Sequence, residues 1–342
     1  MTTTATATVM CTAAMAIPPS QFSHYTDTKP FNWNPTALNP HRHLLLSRFP
    51  NRRFSVDEIR SPARRRRRRG HGVVARAAGS ERRVMDERVR RVVQVGLWVM
   101  EGVYVFWLFF LPFAPGDPVW AISSETISSL LGLSLNFFFI LPAVNSVGFH
   151  LMEAQVLHPM SEGLFNFVVA WTLMFAPVLY TDWRRDRYTG SLDVLWGFQM
   201  FLTNTVLIPY MAIRLNEADP ENSNSKPSKL GSLMFNGAPV VGLIGGAVSI
   251  VSILWAIYGR GDGDFGSVSE RWEFLISYLG SERLAYAFIW DIVLYTVFQP
   301  WLIIDNLQNV RRSRVGIVKY LGFVPVLGLV AYLLCLDKED EQ

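Results

Sequence analysis

Seven stretches of this chain, at 92–113, 127–149, 164–181, 193–213, 235–258, 284–304 and 315–336, are apolar over close to the length a helix needs to cross a bilayer, about 20 residues. None shows the alternation of a half-buried strand. A helix satisfies its own backbone in hydrocarbon, whereas irregular chain does not. Trp98, Trp120, Trp183, Tyr258 and Trp301 stand near the ends of these stretches, at the depth where amphipathic rings favour the headgroups. The fold class predicted is all-α: a polytopic transmembrane helix bundle of six to seven spans. With 50% of its 342 residues hydrophobic, the chain is too apolar for an ordinary soluble domain.

The charge is divided unevenly. Up to Arg76 there are 13 Lys/Arg against 3 Asp/Glu, and beyond it 19 against 25. The basic balance therefore belongs to the N-terminal segment and is no argument for nucleic-acid binding by the body. Residues 1–78 are rich in Ser, Thr, Ala, Pro and Arg, have no acid before Asp27 and lack the apolar core of a secretory signal. That is the composition of an organelle transit peptide, and Val74-Ala75-Arg76-Ala77 resembles the processing site of chloroplast leaders. Chloroplast import is therefore expected over a mitochondrial address or a basic arm for RNA or anionic lipid. The domain organisation expected is a leader at 1–78, a transmembrane domain at 79–336 and an acidic tail at 337–342, in a thylakoid or inner-envelope membrane. Cys11 and Cys335 are the only cysteines, so the body can build neither an internal disulfide nor a CxxC zinc site.

Orientation is ambiguous by charge alone. Seven spans put the basic clusters at 82–91 and 311–314 on one side with Lys226 and Lys229, but Arg184, Arg185 and Arg187 on the other. Turning 127–149 back at Pro142 only exchanges the misplaced clusters. Seven spans are preferred because 127–149 is long enough to cross.

Glu101 and Asp291 lie inside spans with no Lys or Arg at comparable depth. An unpaired carboxylate there costs at least about 2.5–3.5 kcal/mol, so it requires a hydrogen-bonded partner, protonation or a cation. Asn136, Asn145, Gln199, Asn204 and Gln299 are available partners, the alternative for each being interhelical glue. Glu101, Asn145, Asn204 and Asp291 are the candidate ligand-binding residues.

The stretch 137–162 is the densest in chemistry. It holds the only two histidines outside the leader. His150 and Glu153 are three apart, which places them on one face of a helix. His158 precedes Pro159, a first-turn residue, so it is expected at a helix N-terminus with Glu162 in the first turn. His150, Glu153 and His158 are the candidate catalytic residues, and with Glu162 the candidate metal ligands. A structural loop with a capping His and Glu is the alternative. Asp262-Gly263-Asp264 lacks the later ligands of a calcium loop and reads as a solvated turn. Ala238, Gly242 and Gly246 form a small-xxx-small ladder for close helix packing, within the chain or in self-association.

Within 284–305, Leu284-Ala285, Ala287, Ile289 and the intramembrane Asp291 resemble one helix of the abscisic-acid-deficient-four family of plastid membrane proteins, tied to neoxanthin formation. Trp290 stands where that family has a histidine. The resemblance implies xanthophyll metabolism. The function expected is a binding or auxiliary factor of the chloroplast membrane, with an inter-helix pocket for a lipid-soluble pigment, quinone or isoprenoid. The alternatives are a membrane enzyme of isoprenoid or carotenoid metabolism using His150, Glu153 and His158, and a proton-coupled transporter using Glu101 and Asp291.

Overall fold

The computed structural model describes residues 68–150, 152–217, 228–261 and 263–337, with side chains from Asp86 onward. The expected leader and acidic tail fall almost wholly outside these residues. Contacts divide the chain after Ser80, and the second unit, 81–342, carries the helical bundle. The helices are α1 (Arg68–Val105, continued by a π-helical turn Phe106–Phe110), α2 (Ser124–Leu135), α3 (Ile140–Ser146), α4 (Pro159–Thr181), α5 (Leu192–Leu202), α6 (Asn204–Ile213), α7 (Lys229–Asn236), α8 (Ala238–Tyr258), α9 (Val268–Ser281), α10 (Arg283–Asp305), α11 (Val315–Leu321) and α12 (Leu327–Leu334). Among the described residues there is no strand, only a bridge pairing Val310 with Leu336.

Four helical segments are long and apolar enough to cross a membrane: Asp86–Phe110, Pro159–Thr181, Ala238–Tyr258 and Arg283–Asp305. The other three apolar stretches are broken. By length and composition this leaves four spans among the described residues, or five if the bent 124–146 pair is counted as one, against the six to seven expected. The 127–149 stretch bends by 43° between α2 and α3. Phe138 and Phe139 occupy the left-handed region there, with φ of 52° and 58°. The 193–213 stretch breaks at Thr203, where φ is 44°. The 315–336 stretch breaks at 322–326, where Val326 has φ 64°. Hydropathy sums do not register such breaks, because the residues flanking them on both sides are mostly apolar.

Side-chain bonds sort the helix ends into two groups. At one end Arg90 reaches Leu215 O and Glu217, while Gln94 reaches Ala212 O at 3.1 Å. There too Arg214 holds Asp182 through Nε and Nη2 at 2.8 and 2.9 Å and Asp305 at 3.0 Å. Burial alone would raise the Asp182 carboxyl. Arg214 and the Tyr210 hydroxyl reverse this and hold it below the usual carboxylate range. At the other end Arg283 donates to the carbonyls of Leu108, Leu111, Ala114 and Gly116, satisfying the end of α1, and Thr126 meets Glu282.

These ties fix the path of the chain. The four long segments run alternately between the two ends. The α2–α3 segment starts beside Glu282, and its kink lies beside Glu162 in the first turn of α4. It therefore folds over one end instead of crossing. The hairpin α5–α6 leaves and returns at the Asp182–Arg214 end, and its tip, Thr203, reaches Asp291 part-way along α10. The hairpin α11–α12 does the same. Its base is closed by Arg311 N–Cys335 O at 3.0 Å and Asp337 N–Asn309 O at 2.8 Å. Its tip is held by Gln299, which donates to Gly322 O and Val324 O and accepts from Val326 N and Trp171 Nε1.

This path removes the charge ambiguity. The arginines of 88–91, 184–187 and 311–314 all lie at the Asp182–Arg214 end. At the opposite end the described cations are Arg260, Arg271 and Arg283, each under 9% exposed. We call these the basic and the acidic end.

α4 is the central helix, with Trp171, Met174, Phe175 and Val178 fully buried. α1 and α8 are peripheral and present Val92, Val95, Val99, Leu243, Ile250 and Leu254 outward. The ladder on α8 is filled from within the chain. A Cβ at Gly245 would stand 2.4 Å from Met174, and one at Gly246 2.9 Å from Val330, while Gly242 faces Leu333. Of the two uses expected for Ala238, Gly242 and Gly246, packing within the chain is the one seen, with α4 and α12 against that face.

Candidate functional site

The stretch 137–162 folds around a buried carboxylate. Glu162, in the first turn of α4, is fully buried and takes Arg260 Nε on Oε2 at 2.9 Å and Nη2 on Oε1 at 2.6 Å. Asn136 Nδ2 and Trp255 Nε1 complete its shell at 2.6 and 2.8 Å. Arg260 adopts φ 59° to make this approach, and its Nη2 also holds Gln155 O. Asn166 ties the kink to α4 by accepting from Phe138 N at 2.6 Å. A paired, hydrogen-bonded ion of this kind ties together three segments distant in sequence, and losing one partner would strand the other charge.

Beside this pair a groove of about 770 Å³ opens between α3, the 147–157 loop and the outer face of α8. Val251, Leu254, Trp255 and Tyr258 form its apolar wall, with Pro142 opposite. Asn145, His150, Glu153 and Arg260 give it a polar rim at the acidic end. The groove thus grades from hydrocarbon-like to polar along the direction in which a membrane does.

The expected site residues separate into two groups and a remainder. His150, Glu153 and Asn145 share the groove. Among the described residues no helix forms between Ser146 and His158, so the shared helical face expected for His150 and Glu153 is corrected: the loop, not a helix, brings both to the rim. Asn145 is engaged by backbone, accepting from Ala154 N at 2.7 Å and donating to Phe149 O and Met152 O. It staples the loop that carries the other two.

His158 is the N-cap expected, with Nδ1 accepting from Met160 N at 3.2 Å. Its ring stacks on Phe274 at 3.5 Å, away from the groove lining. Burial, aided by nearby Arg271, pushes its pKa down to about 4, so it is neutral at pH 7. Its separation from His150 and Glu153 leaves the catalytic trio dispersed. Glu162 is saturated by Arg260, Asn136 and Trp255. Among the described residues no three His, Cys, Asp or Glu side chains meet as a metal site.

Glu101, Asn204 and Asp291 form the second group, inside the bundle. Asp291, 2% exposed, accepts at Oδ1 from Thr203 Oγ1 and Asn204 Nδ2, both at 2.7 Å, and from Tyr104 Oη at 3.2 Å. Glu101 lies on the inward stripe of α1 with Leu97, Tyr104 and Leu108. Asp291, Tyr295 and Gln299, four apart on α10, make a polar stripe, with Tyr295 meeting Thr172 at 2.7 Å.

The chain matches no family model, no curated protein and no solved structure. The groove and the cluster around Asp291 are thus the two arrangements that bear on function.

Sequence reasoning missed Arg260 and Trp255, which complete the Glu162 shell, and Thr203, which closes on Asp291. Arg260 looks in sequence like part of the polar GRGDGDFG turn. The available signal was an imbalance, a first-turn Glu after an apolar run with no cation close in sequence.

Proposed function

We propose that this is a multi-pass chloroplast membrane protein that binds a lipid-soluble, amphipathic molecule in the groove between α3 and α8. The observation that carries the reading is the juxtaposition of an apolar wall with a polar rim in one opening of about 770 Å³. Small-molecule sites commonly measure about 300–1,000 Å³ and pair apolar lining with a few placed polar groups. A ring-bearing quinone, carotenoid or other isoprenoid would lay its tail along Val251 and Leu254. Its oxygenated head would meet His150 and Glu153, with Trp255 and Tyr258 supplying ring faces.

The composition of residues 1–78 supports import into the plastid. The charge asymmetry supports an orientation with the basic end toward the stroma and the groove opening on the opposite face. The one-helix resemblance to the neoxanthin-related family makes xanthophylls the first ligands to try.

The test is to purify the protein from plastid membranes in mild detergent and identify co-extracted pigments, quinones and prenyl lipids. One species enriched to near stoichiometry is expected. Leu254→Trp, which fills the groove without touching Glu162 or Arg260, should lower that occupancy about tenfold while leaving Tm unchanged. Wild-type protein carrying only the lipids of the bulk membrane would end this reading.

A further inference from the structure

At the basic end the bundle holds guanidinium groups for which the fold supplies no counter-charge. Arg214 has Asp182 and Asp305, and at the opposite end Arg260 has Glu162 and Arg283 has four carbonyls. Arg184, Arg185 and Arg187 make no ion pair among the described residues. The Arg184 side chain makes no hydrogen bond there either, and its Nε is buried without a partner while its Nη groups are open. Arg187 donates through Nη1 to Arg214 O at 2.9 Å and leaves Nη2 open and without a partner. Asp186, the acid between them, has one buried oxygen that no donor reaches.

These cations are crowded against one ring. The guanidinium carbons of Arg184 and Arg187 lie 4.5 and 5.3 Å from the centroid of Trp183, which is 49% exposed. Burial lowers the Arg187 pKa, as do the charges of Arg184, Arg90 and Arg214, against the opposing pull of Asp186. Like charges gathered in one place raise the local potential and draw an anion to it.

The position of the ring says where that anion resides. Trp183 stands two residues past the end of α4, and its N–H is accepted by Asn306 Oδ1 at 3.0 Å, just past the end of α10. Asn309 ties the same corner to Thr181 O at 2.7 Å, and Arg311, Arg312 and Arg314 follow, all exposed. The ring and its guanidiniums are therefore level with the ends of two spans, the depth of the headgroups. Phosphate oxygens accept from guanidinium N–H groups in pairs, and basic clusters beside spans attract anionic lipids.

We propose that the 183–187 turn binds the phosphate of an anionic lipid headgroup, held by the Nη groups of Arg184 and Arg187 beside the Trp183 ring. Arg311, Arg312 and Arg314 add long-range attraction from the adjoining corner. The site lies at the opposite end from the groove. It rests only on the chain crossing a bilayer and does not depend on what the groove binds.

The test holds the purified full-length chain in mild detergent and adds phosphatidylglycerol or phosphatidylcholine at constant ionic strength, with Tm followed by circular dichroism. A saturable rise in Tm is expected with phosphatidylglycerol and none with phosphatidylcholine. Arg184→Gln removes no hydrogen bond of the fold, so it should melt with the wild type in phosphatidylcholine. Its half-saturating phosphatidylglycerol concentration should rise at least about tenfold, as expected for losing a hydrogen bond between charged groups. Arg91→Gln removes an exposed charge at the same end, whose ion pair is with Glu87 on α1, and should shift that concentration less than about twofold. The proposal is overturned if phosphatidylcholine stabilises as much or if Arg184→Gln titrates like the wild type. It is overturned equally if Arg91→Gln weakens binding as much as Arg184→Gln, or if inorganic phosphate produces the whole effect.

Discussion

His158 and Glu162 occupy the positions expected of them, one capping α4 and one in its first turn, yet their chemistry is set by residues about a hundred positions away. Arg260 and Trp255 make Glu162 a structural ion, and burial, with Arg271 nearby, holds His158 neutral against the Phe274 ring. A histidine at about 4 in the folded state and about 6.5 unfolded favours the unfolded chain once protonated. Its contribution is complete above pH 6.5 and is lost as pH falls toward 4. The ring is partly exposed, so screening limits the effect to about 1 kcal/mol. His158→Asn keeps a capping side chain without a titrating ring. Its Tm should fall less than that of the wild type between pH 6.5 and 4.5 in parallel melts.

Among the elements, the two half-helix hairpins are the least expected feature. Each turns back inside the bundle because a buried polar side chain on α10 satisfies its tip. Asp291 holds Thr203 and Asn204, and Gln299 holds the 322–326 turn. Apolar residues fill both sides of each break, so the stretch reads in sequence as one span. The strain at Thr203 and Val326, of order 1–3 kcal/mol for such backbone, persists because those contacts hold it. Gln299→Leu would strand the Trp171 and Val326 N–H groups and the Gly322 carbonyl, at about 1–3 kcal/mol for each buried group, while Val324 O keeps Gly328 N–H. A loss of at least about 3 kcal/mol is expected in denaturant titration of the detergent-solubilised protein. Val297→Leu on the exposed face of α10 should change stability by less than about 0.5 kcal/mol.

For the molecule as a whole, the path of the chain makes a statement about sides. Four crossings place 183–187 and 311–314 together, whereas seven would separate them. With Cys11 and Cys335 replaced by Ser, single cysteines at Trp183 and Arg312 should react with a membrane-impermeant maleimide from one face of sealed membrane vesicles holding the protein. A cysteine at Glu153 should react only from the other. Labelling of Trp183→Cys and Arg312→Cys from opposite faces would restore the longer span count.

From sequence alone came the all-helical class, the four long spans to within a few residues at most ends, the cap at His158 and the polar residues that had to face inward. These follow from local sums, the apolar area of a window and the cost of a carboxylate or amide in hydrocarbon. Tertiary structure alone decided which apolar stretches cross and which turn back. It also decided that Asp291 receives the α5–α6 tip while His150 and Glu153 share a groove, and that the α8 glycines are covered from within. Hydropathy counts a buried methyl and a lipid-facing one alike, and a turn at Thr203 exists only because a side chain 88 positions later receives it.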